Sequence, residues 1–137
     1  VEEVSFVDTS AWYAAYVPTD SSHRAVSLHL RSDETPFFTS DFVVDETITL
    51  MLARGERRRA VKFGRDLLIA GIVRMEIITV ADLVDAYQVF AKYVDKKWSF
   101  TDCTSYVLMR RVGVTEALTL DKHFRQMPGI SVVPRQA

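Results

Sequence analysis

The sequence predicts an α/β fold, a parallel sheet held between layers of helix. Short runs of strand-forming residues alternate with helical patterns along most of the chain. The first run, Val4–Val7, is almost continuously apolar, as expected of a strand covered on both faces. Gly55, Gly71 and Gly113 fall where successive helical patterns stop.

Taken in order, Val4–Val7 reads as the first and central strand, ending on Asp8. A short helix follows through Trp12, Tyr13 and Tyr16, and Pro18 ends it. Asp20-Ser21-Ser22 supplies a turn and N-cap for a helix over His23–Arg31, with Ala25, Leu28 and Val26 inward. Pro36 precedes a short strand, Phe37–Thr39. Ser40 or Asp41 caps a helix running to about Arg54, which Gly55 breaks. Glu56 to Ala70 is helical again, with Ala60, Phe63, Gly64 and Leu67 on one side and Gly71 as the C-terminal cap. Ile72–Ile78 is the third strand. Thr79 caps a helix from about Val80 to Tyr93, with Leu83, Ala86, Tyr87 and Phe90 at helical spacing. Thr101 caps a helix over Asp102–Val112, and Gly113 ends it. Ala117–Leu120 and Ile130–Val133 complete the set, the last an edge strand stopped by Pro134. There is no repeat, low-complexity tract or linker, so residues 1–137 are expected to form one domain.

Composition narrows the function classes. The chain carries 17 Lys plus Arg against 18 Asp plus Glu, so any nucleic-acid surface must be local. The single cysteine, Cys103, excludes an internal disulfide and a cysteine-based metal cluster, and its neighbours place it in the core. No apolar run approaches the roughly 20 residues of a membrane span. Glu2 and Glu3 stand where a signal peptide would be basic. A cytoplasmic protein with no membrane association is expected.

Chemistry concentrates in four acids. Asp8 and Asp121 each end a strand, where open α/β sheets place their ligand sites. Read singly, the first is a helix cap and the second a turn residue, but Thr9 and Ser10 are the better-placed cap candidates. Glu46 lies mid-helix with Phe42 and Leu50 four residues away on either side, whereas its neighbour Asp45 faces solvent. Asp102 opens a helix, where the dipole favours an acid, above Tyr106 and Met109 on an inward face. Carboxylates gathered at one point repel, and divalent cations remove that cost. An all-oxygen set without clustered His or Cys suits Mg²⁺ or Mn²⁺ and not zinc. Paired imidazoles offer a metal-free alternative, but His23 and His29 read as solvated, and only His123 stands near an acid.

With these residues in place, the sequence resembles PIN domains, and among them the small VapC-type toxins. The matching pieces are Phe6-Val7-Asp8-Thr9-Ser10, Val44-Asp45-Glu46-Thr47, Trp98-Ser99-Phe100-Thr101-Asp102-Cys103 and Leu118-Thr119-Leu120-Asp121-Lys122-His123-Phe124. They span nearly the whole chain in the family's order. The resemblance implies a PIN-like three-layer sandwich around a five-stranded parallel sheet. It also implies a Mg²⁺-dependent endoribonuclease with Asp8, Glu46, Asp102 and Asp121 on the metal, Thr101 and Ser10 beside them, and a cognate antitoxin. A housekeeping RNA-processing nuclease or a non-catalytic RNA-binding module on the same fold are the alternatives. A phosphotransfer receiver is disfavoured, because Asp8 is followed by Thr9 and Ile77-Ile78-Thr79 carries no acid.

Three features bear on partners. Trp12, Tyr13 and Tyr16 exceed what one short helix buries in a core, so part of them is expected to form a groove for an apolar partner segment. Arg57, Arg58, Arg59, Lys62 and Arg65 form a basic run that reads as a solvated helix face, a phosphate contact or a pairing surface. Lys96, Lys97 and Trp98 could hold an RNA backbone and stack a base, or Trp98 could be packing. A symmetric homodimer is also expected.

Overall fold

A computed structural model describes residues 4–32 and 35–135. The signal-peptide reading of Glu2 and Glu3 lies outside them. Five strands, β1 (Ser5–Val7), β2 (Phe37–Ser40), β3 (Arg74–Glu76), β4 (Glu116–Leu118) and β5 (Ser131–Val133), form one sheet in the order β3-β2-β1-β4-β5. Every pairing is parallel. The helices are α1 (Thr9–Tyr16), α2 (His23–Arg31), α3 (Asp41–Ala53), α4 (Arg57–Gly64), α5 (Val80–Lys92) and α6 (Phe100–Val112). β1 is central, as its apolar run predicts, and Phe6 and Val7 are fully buried.

The strand order reverses beside β1. From β1 the chain steps outward through β2 to β3, then crosses to β4 and β5 on the other side. The carboxyl ends of β1 and β4 are therefore neighbours at the topological switch point, with Val7 opposite Leu118. In open parallel sheets this crevice is where ligands bind. Asp8 follows one of those ends directly and Asp121 follows the other.

Local signals account for most boundaries. Ser40 caps α3 by accepting from Val43 N–H at 3.1 Å. Thr79 and Asp82 form a reciprocal capping box at the start of α5. Arg111, in the last turn of α6, then pairs with Asp82 through Nε and Nη2, both at 2.9 Å, fastening the two helices together. Gly113 ends α6 at φ 74°, a conformation that a Cβ disfavours.

Several expectations change. α2 turns its Val26–Leu30 side inward and leaves Ala25 and Leu28 exposed, because His23 bonds the Ala14 carbonyl at 2.7 Å and fixes the helix's rotation. His23 is thus a tether and not a solvated side chain. The helix expected over Glu56–Ala70 is α4 followed by a π turn, Arg65–Ile69. β3 is shorter than Ile72–Ile78, and β4 stops at Leu118 rather than Leu120. Each strand keeps only the residues its neighbour can pair. On α5, Ala86 is buried, but Tyr87 and Phe90 are 62% and 48% exposed. Trp12 and Tyr13 lie in the core, with Trp12 against Phe63 at 5.5 Å between ring centres.

Candidate active site

Asp8 occupies the N-cap position of α1, yet its side chain caps nothing. Thr9 and Ser10, the expected caps, already lie inside the helix. The carboxylate turns sideways instead: Oδ2 accepts from Thr119 Oγ1 at 2.9 Å and from Ser10 Oγ at 3.2 Å. Ser10 Oγ also accepts Leu120 N–H at 2.8 Å, and Thr119 Oγ1 accepts Asp121 N–H at 3.0 Å. These hydroxyls bind the ends of β1 and β4 into one polar edge. Asp8 is only 3% exposed.

Glu46 enters from the second turn of α3, where Thr9 Oγ1 donates to its Oε1 at 2.6 Å. Asp45 is exposed, as its helix face predicts. Asp102 comes from the first turn of α6. There Ser99, not Thr101, is the cap: Ser99 Oγ accepts Asp102 N–H and Asp102 Oδ2 accepts Ser99 N–H, each at 3.0 Å. A Ser three residues before an acid is the capping-box pattern, and it outcompetes the nearer Thr. Thr101 remains half-buried, and among the described residues its hydroxyl bonds none of the acids. Asp121 accepts His123 N–H through Oδ1 at 2.9 Å, opening a short 3₁₀ turn, Lys122–Gln126.

The four acids share one electrostatic environment. Burial raises the Asp8 carboxyl from its ordinary 3.8 to about 7, with the charges of Asp102 and Glu46 pushing the same way. Asp102 is also raised, by burial and then by Asp121 and Glu46, although the Ser99 backbone and His123 oppose this. Asp102, Asp121 and His123 each offer one ligand atom within 4.8 Å of the others. The sequence reading missed Thr9, Thr119 and Ser99. Only Ser99 carries a local signal, its spacing from Asp102.

The remaining candidates resolve by burial. Trp98 is packing: Nε1 donates to Gln126 Oε1 at 3.0 Å and the ring lies 4.7 Å from Tyr93. Cys103 is buried in the core, its thiol pushed up to about 11 by burial and the nearby Asp102 charge, so it is no nucleophile. Arg57, Arg58, Arg59, Lys62 and Arg65 are all exposed, with Lys62 paired to Asp66 at 3.2 Å. No helix among the described residues is long and apolar enough to cross a membrane.

The profile of the PIN domain family matches residues 5–130, taking in all four acids. The chain belongs to the PIN domain family. Two PIN relatives, each named 23S rRNA-specific endonuclease VapC20 and drawn from two strains of Mycobacterium tuberculosis, are 32% identical over 130 residues, covering 94% of this chain and 98% of the relative. The crystal structure of Mycobacterium tuberculosis VapC20, described as a Sarcin-Ricin loop cleaving toxin, superposes with a TM-score of 0.85 at 28% identity, covering 92% of this chain and 95% of that one. VapBC2 from Rickettsia felis, solved with a DNA fragment from its promoter, shares the fold at a TM-score of 0.68 and 11% identity, covering 94% of this chain and 96% of that one.

Proposed function

We propose that this PIN domain is a divalent-metal-dependent endoribonuclease that hydrolyses RNA phosphodiester bonds, and that it acts as the toxin of a toxin–antitoxin pair. The gathering of carboxylates carries the reading: Asp8 is buried at 3% exposure, and Asp102, Asp121 and His123 offer ligand atoms within 4.8 Å of one another. A carboxyl held near 7 by burial and by two other carboxylates is a costly arrangement for a structural role. A cation bound among the four acids offsets that cost. The likeness to VapC20, named as an rRNA endonuclease and a toxin, supports RNA as the substrate class.

In this reading Asp8, Glu46, Asp102 and Asp121 hold Mg²⁺, or Mn²⁺, directly or through water. The bound cation supplies acidification of a water and positive charge for the scissile phosphate. The chain's own groups set the geometry. Ser10 and Thr119 aim the Asp8 carboxylate, Thr9 aims Glu46, and the Ser99 backbone aims Asp102; Thr101, beside Asp102, is left to position water. Cleavage of a short RNA by the purified chain is expected to require Mg²⁺ or Mn²⁺, to stop in EDTA and to return on adding the ion. Full cleavage in chelator would sink the reading.

A cytoplasmic antitoxin protein would silence the site by placing an Arg or Lys among the acids, pairing with them and displacing the cation. The homodimer is proposed to form through α5. Val80, Val84, Tyr87 and Phe90 make an exposed apolar stripe along it, and Phe90 packs edge-on against exposed Phe100 at 6.0 Å. A stripe of that kind marks an interface in a soluble protein. Light scattering is expected to give twice the chain mass for wild type and the monomer mass for Tyr87→Glu. A monomeric wild type would remove the dimer.

A further inference from the structure

His123 stands two residues beyond Asp121, in the 3₁₀ turn that Asp121 opens. The bond from its own N–H to Asp121 Oδ1, at 2.9 Å, folds the turn back so that the imidazole faces the acids. Its Nδ1 lies 3.3 Å from Asp121 Oδ1 and 3.4 Å from Asp102 Oδ2. That nitrogen is buried, yet it makes no hydrogen bond in the described structure. A buried imidazole nitrogen between two carboxylate oxygens has two uses. It carries a proton directed at one oxygen, or it offers its lone pair to a cation that both oxygens also face. The bonding geometry of the first is not met. The spacing suits the second, since an octahedral ion with bonds of about 2.1 Å sets neighbouring ligands about 3 Å apart.

We propose that His123 Nδ1 is a direct ligand of the catalytic cation beside Asp102 and Asp121, and that it biases the site toward Mn²⁺ over Mg²⁺; this rests on the metal-nuclease reading above. The donor set is then one imidazole with carboxylates. Mg²⁺ takes oxygen ligands and gains little from a nitrogen, whereas transition ions accept imidazole readily. The resemblance on which the four acids were matched gave His123 no role, and its neighbours Lys122 and Arg125 are exposed.

The test uses Mn²⁺ alone on the full chain, without RNA. Pulsed electron paramagnetic resonance of bound Mn²⁺ is expected to show coupling to a directly bonded ¹⁴N in wild type, lost in His123→Ala and in His123→Gln. By calorimetry, His123→Ala is expected to lose about tenfold in Mn²⁺ affinity while its Mg²⁺ affinity stays within about twofold. Circular dichroism checks that both variants stay folded. Mn²⁺ bound by wild type without ¹⁴N coupling overturns the proposal, as does an equal loss for both ions, which a merely structural histidine would give. Failure of wild type to bind either ion overturns the nuclease reading instead.

Discussion

Asp8→Asn is expected to lower RNA cleavage by roughly 10²–10³-fold while making the metal-free protein more stable at neutral pH. In the proposed mechanism the loss follows from removing a negative charge that would help hold the cation. The gain follows from burial. In the folded protein the carboxyl is protonated up to about 7, while in the unfolded chain it ionises near 3.8. Between those values the folded state holds the extra proton, so stability falls as pH rises and levels off above about 7. A difference of that size corresponds to something on the order of 4 kcal/mol. Asn cannot ionise, and its Oδ1 can still accept from Thr119, so the variant should lack most of that decline. Thermal melts in EDTA from pH 4.5 to 8, beside cleavage assays at saturating Mg²⁺, read both effects on one protein. Asp45→Asn is the control: that exposed carboxylate is expected to leave cleavage within about twofold of wild type. Matching losses at Asp45 and Glu46, or a wild type whose melting temperature ignores pH, would contradict the shared site.

Local chemistry made much of this legible. An apolar run ending in Asp8 reads as a buried strand with a polar residue at its edge, because every neighbour that matters is within a few positions. The same holds for Asp121 and for the side of α3 that carries Glu46. What stayed hidden depends on contacts between distant parts of the chain. Thr119 and Asp8 are 111 positions apart, and Ser10 and Thr119 are 109 apart. Nothing near Thr119 signals that its hydroxyl will hold the other strand's acid, or near Ser10 that its hydroxyl will accept the Leu120 N–H from the other strand. The capping of α6 was open to a different error. Ser99 and Thr101 are both plausible caps, and only the spacing from Ser99 to Asp102 distinguishes them. On α5, periodicity groups Tyr87 and Phe90 with Leu83 and Ala86 as one apolar face, although Ala86 is buried and the two aromatics are exposed. It cannot say whether that face meets this chain's core or another chain.

Trp12→Ala is expected to destabilise the fold severely, and not to act by weakening a partner complex. The aromatic surplus of α1 suggests a docking groove when read as sequence, but the structure spends Trp12 inside. It is 2% exposed, and its ring packs against Phe63 at 5.5 Å and Tyr16 at 6.3 Å. Nε1 donates to Thr39 Oγ1 at 3.2 Å, and that hydroxyl in turn donates to the Val7 carbonyl at 2.9 Å. Truncation to Ala leaves a cavity under the central strand and removes one bond of this chain. Losses for such large-to-small changes run to about 3–5 kcal/mol, against a total stability of roughly 5–15 kcal/mol. Because Val7 directly precedes Asp8, slack here also loosens that acid of the candidate site. Urea midpoints are expected to fall steeply for Trp12→Ala and much less for Trp12→Phe, which refills most of the space. Cleavage by whatever fraction of Trp12→Ala stays folded should be reduced as well. A variant that denatures at the wild-type midpoint and cuts RNA normally, yet no longer binds its inhibitor, would restore the docking role to Trp12.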